Sequence, residues 1–399
     1  MGRTPNNHAD SARWTGPEPP YPILKSMQSD PKKPRAGTPG ELALGEVALL
    51  KQIRARAARL SHGIAHGGMR LGIGDDCALL RVGAGEELAV TTDLSISGRH
   101  FRLDWQTPES IGHRTLARGL SDLAAMGARP VAAFLSLGVP KELVQNAKGR
   151  GPGNGKKNWP GARLWLDRFF DGFFALASHF QTPLAGGDLA ESPLAVADIL
   201  LVGAVRRGKA LLRSGARPCD LIYVTGSLGG AAVGLARLAQ LAETAHAARH
   251  GSKRIAPVRI PRGPQSLLAP HLYPQPRITQ GLWLARRGIA HAAIDLSDGL
   301  STDLAHLCEE SAVAAEIDAA ALPIHPGATL AQALHGGEDY ELLFTASPES
   351  RVPRSIAGVP VTCIGRIIRS RKGKPAVTII TPDGAEPITP HGWQHFSRN

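Results

Sequence analysis

A chain of 399 residues with 43% apolar content exceeds one ordinary hydrophobic core, so we expect a globular protein of two domains. Its formal net charge of +12 suits an anionic ligand, whether a nucleotide, a phosphate or a nucleic acid, without choosing between them. The four cysteines are widely separated, which argues against a disulfide framework or a zinc site. No apolar run has the length of a membrane span or a signal-peptide core. We therefore expect a cytoplasmic protein.

The first half of the chain is predicted to hold a leader and one domain. Residues 1–40 are rich in proline and poor in aliphatic residues, which predicts a disordered leader. In the domain over 41–205, Thr107 is a helix cap and Pro108 suits the first turn of a helix that ends near Gly127. The other elements predicted there are a helix over 42–60 and strands near 88–92, 131–137 and 197–205.

The second half, residues 206–399, is predicted to form a domain that mixes strands and helices. Several strands follow one another directly, so the pattern favours an α+β fold in both halves over a strict βαβ winding. The predicted elements are strands over 221–225, up to 294, 340–345 and 359–367, and helices from 230 to about 244, over 278–287 and over 301–308.

Two segments have the composition of insertions. Residues 148–161 are rich in Gly, Lys and Asn, and residues 245–264 carry five Lys or Arg without one acidic residue. Such segments are solvated more often than they bind a ligand, although the second would suit RNA or an acidic partner.

One short motif imitates a phosphate-binding loop. Gly203 to Lys209 follows a predicted strand and fits the first seven positions of a P-loop, but the eighth is Ala210, which has no hydroxyl for Mg²⁺. A chance match in a basic turn is the better interpretation. An ATP-using enzyme with this sequence would therefore need another architecture.

Six aspartates stand in short motifs beside Gly, Ser or Thr, at the ends of apolar runs. Carboxylates gathered at such positions repel one another unless they are protonated or neutralised by a hard cation. The set therefore favours a phosphate-transfer site with several Mg²⁺ ions, although a turn or a helix cap would explain any one of them alone. The six are Asp76, Asp93, Asp122, Asp188, Asp295 and Asp298.

The neighbours of these aspartates add oxygen donors. Thr91 and Thr92 precede Asp93 at the predicted end of a strand, and their hydroxyls suit the mixed oxygen shell that Mg²⁺ accepts. Asp122 lies in a largely apolar helix, where a carboxylate needs a partner such as a metal ion.

Glycine and serine accompany the remaining motifs. Gly187 directly precedes Asp188 and leaves room for a phosphate group. Asp295, Ser297 and Asp298 are predicted to leave a strand together and enter a helix.

Five longer motifs make the sequence recognisable as similar to a known family. They are Gly-Ile-Gly-Asp-Asp-Cys-Ala-Leu-Leu from Gly72, Ser-Asp-Leu-Ala-Ala-Met-Gly-Ala from Ser121, Arg-Ser-Gly-Ala-Arg-Pro from Arg213, Ile-Asp-Leu-Ser-Asp-Gly-Leu from Ile294 and Gly-Gly-Glu-Asp-Tyr-Glu-Leu from Gly336. On these motifs, residues 41–396 resemble the thiamine-monophosphate kinase family of the aminoimidazole-ribonucleotide (AIR)-synthetase-like ATP-binding superfamily.

The resemblance implies a two-domain, α+β, AIR-synthase-like fold. Its N-terminal domain is a mixed sheet with helices, a barrel closed by dimerisation, and its C-terminal domain is an α/β sandwich. The implied activity is ATP- and Mg²⁺-dependent phosphorylation of thiamine monophosphate by direct in-line transfer in a homodimer. Neither a membrane nor a nucleic acid is an expected partner on this interpretation.

The same resemblance implies roles for individual residues. The expected catalytic residues are Asp122, Asp298 and Arg213. Nucleotide contacts are expected from Gly187, Asp188, Arg213 and Ser297. The thiamine phosphate pocket is expected to be lined by His100, Glu338 and Trp393. Several Mg²⁺ ions would be held by Asp76, Thr91, Thr92, Asp93, Asp122, Asp188, Asp295 and Asp298.

Other interpretations stay open at this point. Within the superfamily, the alternative functions are those of selenophosphate synthetase and of the purine-pathway cyclo-ligase. Selenophosphate synthetase normally has a reactive Cys or selenocysteine near its N-terminus, whereas the N-terminal-most cysteine of this sequence is Cys77. A basic RNA-binding protein is a further alternative, but the aromatic content of 5% leaves few side chains for stacking on bases.

Overall fold

The computed structural model describes residues 46–63, 68–144, 165–247, 266–373 and 376–391. All of them belong to one compact unit, Ala43–Asn399. Within these residues, no helix combines the length and the apolar character that crossing a bilayer requires. The predicted leader over 1–40, the predicted insertion over 148–161 and Trp393 lie outside the described residues, as does the insertion over 245–264 beyond Ala247.

The first half builds a four-stranded sheet. Its elements are helices α1 (Glu46–Gly63), α2 (Pro108–Ala125), α3 (Lys141–Val144) and α4 (Trp165–His179), and strands β1 (Met69–Leu71), β2 (Leu79–Leu80), β3 (Glu86–Ile96), β4 (Arg129–Val139), β5 (Leu184–Glu191) and β6 (Val196–Arg206). The sheet order is β3-β6-β4-β5, antiparallel except for the parallel pair β4 and β5, while β1 and β2 form a separate hairpin.

The second half builds an eight-stranded sheet. Its helices are α5 (Gly230–Ala247), α6 (Ala269–Leu272), α7 (Ile278–Arg287), α8 (Leu300–Glu310) and α9 (Leu330–His335). The strands are β7 (Leu221–Thr225), β8 (Ala290–Asp295), β9 (Val313–Asp318), β10 (Leu342–Ala346), β11 (Ser355–Ile356), β12 (Val359–Arg369), β13 (Val377–Thr381) and β14 (Gly384–Pro387). The order is β14-β13-β9-β12-β7-β10-β8, with β11 beside β12.

Helix α2 joins the two halves and positions the candidate site. It packs on β3 and β6 of the first sheet, on α4, and on α7 and β8 of the second half. The side chain of Thr107 caps it by accepting a hydrogen bond from the Ser110 N–H at 3.3 Å, and Pro108 occupies its first turn, as predicted. Its apolar side chains, Leu116 and Leu120 among them, are fully buried in the larger core.

The α+β prediction is confirmed, and the predicted strand 221–225 and helix 278–287 coincide with β7 and α7. One local prediction was wrong. The strand expected to end at Asp93 continues to Ile96, because its last residues pair with β6. The residues before Asp188 lie in β5, where β4 runs so close that a Cβ on Gly187 would lie 1.9 Å from the Leu135 carbonyl oxygen.

The sequence analysis also missed several elements. Helix α4 was not identified, although its phenylalanines Phe169 and Phe173 are fully buried against α2. Strands β9, β13 and β14 were missed as well, and β13 and β14 extend the second sheet beyond the strand 359–367 that was expected to close it.

Candidate functional site

Three charged residues of α2 lie on one helix face. Arg114, Arg118 and Asp122 follow one another at intervals of four residues, and side chains at that spacing stand one above the other along a helix. This face is directed at the site because α2 lies between β3 and the second half of the chain.

The middle residue of this face pairs with β3. Arg118 Nε donates to Asp93 Oδ2 at 2.8 Å, and its Nη2 lies 2.5 Å from Asp93 Oδ1, so the guanidinium grips the carboxylate with two nitrogens. Two residues before Asp93, the Thr91 hydroxyl donates to Asp122 Oδ2 at 2.5 Å. Alternate residues of a strand share a face, so Thr91 and Asp93 both meet α2.

Two carboxylates, the partly buried Asp122 and the buried Asp295, connect this face to β8. Asp295, the last residue of β8, is 3% exposed and accepts a hydrogen bond from the Ser121 hydroxyl at 2.7 Å. Burial, and then the negative charge of Asp122, raise the pKa of Asp295. Burial and the charge of Asp93 raise the pKa of Asp122 in turn. Arg213 opposes both shifts, so its positive charge reaches this carboxylate pair.

The turn after β8 is stabilised by hydrogen bonds to a buried aspartate, Asp303. Asp303 Oδ2 accepts hydrogen bonds from the backbone N–H groups of Asp298 and Gly299, both at 3.0 Å. Burial, with the charges of Asp295 and Asp298, raises the pKa of Asp303 to about 8. Ser297 lies in the same turn, and its carbonyl accepts from the Glu338 N–H at 2.8 Å.

Glu338 closes the site from the segment after α9. Its carboxylate lies 2.5 Å from Arg114 Nη2 and 3.5 Å from His271 Nδ1. Burial would raise the pKa of Glu338, but Arg114 and His271 outweigh it and hold the pKa at about 2. The residue has a positive φ of 69°, a backbone state that a non-glycine residue adopts only where its surroundings enforce it.

The other two acidic residues of the same motif have structural contacts. Asp339 accepts hydrogen bonds from the N–H groups of Gly229 and Ala231 at the start of α5, at 2.6 and 2.9 Å. Glu341 is buried and accepts hydrogen bonds from Arg277 and from the Thr225 hydroxyl. The motif from Gly336 therefore joins three parts of the chain besides presenting Glu338.

His100 lies in the loop after β3, where its Nδ1 accepts a hydrogen bond from the Ile96 N–H at 3.1 Å. It lines a small cavity together with Arg114 and Arg118. The structure thus brings His100 to the two arginines of the α2 face.

The side chain of Thr92 lies on the face of the first sheet that is opposite to α2. Its position between Thr91 and Asp93 turns its side chain to the opposite face of the first sheet, where the hydroxyl donates to Asp198 Oδ1 at 2.9 Å. The structure therefore does not bring Thr92 to Asp122.

Asp188 also lies on that opposite face. It pairs in register with Ser136 of β4, and Ser136 pairs with Asp198 of β6, so the three side chains form one row across the sheet. Asp188 and Asp76 are both exposed, and Asp76 lies in the segment between β1 and β2. Their roles, like those of Thr92 and Trp393, stay predictions.

Four residues of the site were missed by the sequence analysis: Arg114, Arg118, His271 and Asp303. A signal existed for the two arginines, since they precede Asp122 by eight and four residues in a predicted helix. No comparable spacing points to His271, which α6 brings to Glu338 from more than sixty residues away in sequence.

The oxygen donors of the site fit one mode of Mg²⁺ binding. Among the described residues, no group of three or more His, Cys, Asp or Glu side chains is placed to hold a metal ion by itself. Mg²⁺ is usually bound through one or two carboxylates together with substrate phosphates and retained waters. Asp122 and Asp295 offer oxygen ligands, and burial followed by the charge of a neighbouring carboxylate raises the pKa of each, so the residues present fit that mode of binding.

Comparison with known proteins first identifies the class of protein to which this chain belongs. Residues 74–206 match the family model of the AIR synthase related protein, N-terminal domain, and residues 217–377 match that of its C-terminal domain. The fold and the site thus define a two-domain AIR synthase related protein. Thiamine-monophosphate kinase of Escherichia coli strain K12 is 38% identical over 372 residues, which cover 89% of this chain and 99% of that protein. The chain belongs to the thiamine-monophosphate kinase family.

Solved structures agree with this assignment. The crystal structure of thiamine-monophosphate kinase from Stenotrophomonas maltophilia K279a is 38% identical, with a TM-score of 0.65 over 84% of this chain and 96% of that one. AaThiL complexed with AMPPCP and TMP is 27% identical, with a TM-score of 0.60 over 90% of this chain and 100% of that one. The predicted two-domain AIR-synthase-like fold is confirmed.

Proposed function

We propose that this protein transfers the γ-phosphoryl group of ATP to thiamine monophosphate and so forms thiamine diphosphate. The observation that carries the proposal is the near-complete coverage of a thiamine-monophosphate kinase at 38% identity. The related AaThiL structure, which contains AMPPCP and TMP, supports a nucleotide and a thiamine phosphate as the two substrates.

The geometry of the site suits this reaction. The acceptor is a phosphate monoester that is already ionised near neutral pH, so no strong general base is needed, and phosphoryl transfer depends on positioning and charge stabilisation. Asp122 and Asp295 from the two halves of the chain meet beside Arg213, and Asp298 follows on the turn that Asp303 holds. We assign Asp122, Asp298 and Arg213 to the transfer and Ser297, Gly187 and Asp188 to the nucleotide.

We also propose that the reaction requires Mg²⁺. The residues that would hold the ions are Asp93, Asp122 and Asp295 at the α2 face, with Thr91, Thr92, Asp76, Asp188 and Asp298 as further predicted ligands. Bound Mg²⁺ supplies positive charge that lets two polyanions approach each other. The chain's own contribution is to keep two carboxylates in place for the ions, through the hydrogen bonds of Thr91 to Asp122 and of Ser121 to Asp295.

The thiamine pocket is proposed to lie beside His100 and Glu338, with Trp393 as a third predicted wall. Thiamine is a cation with aromatic rings, which a carboxylate and an indole attract by charge and by cation–π interaction. Arg114 already compensates most of the charge of Glu338, so this carboxylate would act chiefly as a fixed hydrogen-bond acceptor.

A homodimer is proposed from the outer edge of the first sheet. Leu88, Val90 and Leu94 alternate along the edge strand β3 and are 54%, 60% and 46% exposed. An exposed apolar edge strand is a surface that pairs with another chain. Val90→Lys would make the protein monomeric in sedimentation experiments, whereas Leu235→Lys, on the surface of α5, would leave its mass unchanged.

The remaining proposals concern domains and location. We propose a domain boundary between residues 205 and 206, with 41–205 forming the nucleotide, metal and dimer domain. The N-terminal family match ends at residue 206 and the C-terminal match begins at residue 217, which supports a boundary in this region. Cytoplasmic location is supported by the four cysteines, all of which are free thiols.

The test is thiamine diphosphate formation from purified protein, thiamine monophosphate, ATP and Mg²⁺. We expect equal amounts of thiamine diphosphate and ADP, a loss of at least 100-fold in Asp122→Asn, and full activity in the control Asp318→Asn, an exposed residue that caps a 3₁₀ turn. Mg²⁺-dependent ATP hydrolysis without thiamine diphosphate would instead favour another reaction of the superfamily, of the selenophosphate synthetase or cyclo-ligase kind. Binding of RNA without ATP turnover would contradict the enzyme proposal.

A further inference from the structure

A small cavity beside His100 is lined by groups that suit an anion. It lies between the end of β3, the following loop and α2. Two guanidinium groups, Arg114 and Arg118, line it together with His100. Guanidinium groups are the side chains that bind carboxylate and phosphate groups most readily.

The two arginines differ in how many of their N–H donors are already used in contacts within the protein. Both terminal nitrogens of Arg114 are engaged, Nη2 with Glu338 and Nη1 with His271. Arg118 uses Nε and Nη2 on Asp93, and none of the described residues accepts a hydrogen bond from its Nη1. A guanidinium has five N–H donors, so Arg118 keeps donors for a ligand while Asp93 fixes its plane.

The place of Arg118 between two predicted sites narrows the identity of that ligand. Its partner Asp93 and its helix neighbour Asp122 belong to the proposed phosphoryl-transfer cluster, and the cavity that it lines leads to His100 of the proposed thiamine pocket. The group that must lie between a transferred phosphoryl group and a bound thiamine is the phosphate of the acceptor. We propose, on the basis of the function proposed above, that Arg118 binds the phosphate of thiamine monophosphate and makes the site select the phosphate ester over free thiamine.

The electrostatics of Arg118 support this role. Its side chain is only 16% exposed, so its attraction for an anion is screened less than that of a surface arginine.

The experiment measures the affinities of thiamine monophosphate and of free thiamine for the full-length protein by calorimetry. The variants are Arg118→Gln and Arg118→Lys, with Arg366→Gln as the matched control, because Arg366 also contacts a carboxylate through Nε and Nη2 but is 66% exposed and remote in sequence from the site. The informative quantity is the ratio of the two dissociation constants, since a general disturbance of the pocket weakens both ligands equally.

We expect Arg118→Gln to reduce the preference for the phosphate ester about tenfold or more, which is the loss of a charge-assisted contact. Arg118→Lys should recover part of it, and Arg366→Gln should match the wild type. An unchanged ratio in Arg118→Gln would overturn the assignment to Arg118 while leaving the kinase function intact. If free thiamine binds too weakly to measure, equal losses of thiamine monophosphate affinity in both Arg118 variants would overturn it. A wild-type protein that binds no thiamine monophosphate would overturn the proposed function itself.

Discussion

Arg114 and Glu338 form an ion pair across the junction of the two halves of the protein, with Arg114 Nη2 2.5 Å from Glu338 Oε1. The arginine side chain is only 5% exposed, and His271 approaches the same carboxylate from α6 at 3.5 Å. The pair therefore joins α2, α6 and the segment after α9 at the mouth of the candidate site.

Removing one partner of this pair should be costly. Arg114→Met leaves the partly buried Glu338 carboxylate without its main counter-charge, so we expect the free energy of unfolding to fall by about 2–3 kcal/mol in denaturant titrations. The corresponding change in the exposed pair, Arg366→Met, should cost less than about 1 kcal/mol. Equal losses in the two variants would show that the Arg114 pair contributes no more than a surface contact.

Acid should destabilise the protein through His113. This histidine of α2 donates a hydrogen bond from Nε2 to the Pro274 carbonyl at 2.7 Å, and burial lowers its pKa to about 4. The unfolded state takes up a proton near pH 6.5 and the folded state near pH 4, so stability present at pH 7 is lost as the pH falls through this window, by at most about 1.4 kcal/mol per pH unit.

His113→Gln keeps a donor for Pro274 and removes the titration. The variant should therefore lose less stability than the wild type between pH 7 and pH 4.5 when unfolding is followed by circular dichroism. Some slope will remain, because burial also lowers the pKa of His271, to about 3. Parallel pH profiles for the two proteins would exclude His113 as a source of acid sensitivity.

The contact between α2 and α4 should not tolerate a methyl group. A Cβ on Gly172 would lie 1.8 Å from the Glu109 carbonyl oxygen, so the two helices must separate to admit alanine. We expect Gly172→Ala to lower the melting temperature, with a loss of about 1–3 kcal/mol. Gly208→Ala is a useful comparison, because a Cβ there meets no atom within 4 Å, although its φ of 65° adds a small strain. A Gly172→Ala protein as stable as the wild type would mean that the helices repack freely.

Asp303 should act as a positioning residue for the turn that carries Asp298. Asp303→Asn keeps an oxygen that can accept both backbone hydrogen bonds, whereas Asp303→Ala leaves the N–H groups of Asp298 and Gly299 without that acceptor. We expect the alanine variant to lose at least tenfold in kcat for thiamine diphosphate formation and the asparagine variant to recover most of it.

A stability effect alone would not produce that pattern at temperatures where both proteins are folded. The control is therefore the unfolding curve of each variant, measured beside kcat at the same temperature. If alanine and asparagine reduce kcat equally, the charge of Asp303 rather than its hydrogen bonds is what the turn requires.

Sequence patterns predicted helices and strands well where a single local signal, such as a helix cap or a short apolar run, marks the element. The cap at Thr107 and the proline after it placed the start of α2 correctly, and the short apolar run at 221–225 coincided with β7. The end of the strand at Asp93 was predicted too early. In the structure, Arg118 neutralises Asp93, and the residues from Leu94 to Ile96 pair with β6, so β3 continues past Asp93.

The candidate site, too, could be predicted from the sequence only in part. The aspartate motifs were visible in the sequence because each is a local pattern, but their partners were not, since ion pairs such as Arg114 with Glu338 join residues 224 positions apart. Alternation along β3 also separated Thr92 from Thr91, which a list of neighbouring oxygen donors could not show.

The sequence by itself determined the family, the α+β class and the identity of the acidic motifs, because these depend on residue types at fixed local spacing. Only the tertiary structure decided which carboxylates share one side of the sheet, which are neutralised by arginine, and that Arg118 Nη1 has no acceptor among the described residues. Those properties depend on strand register and helix packing, which bring distant residues within a few ångströms of one another and remove water from between them.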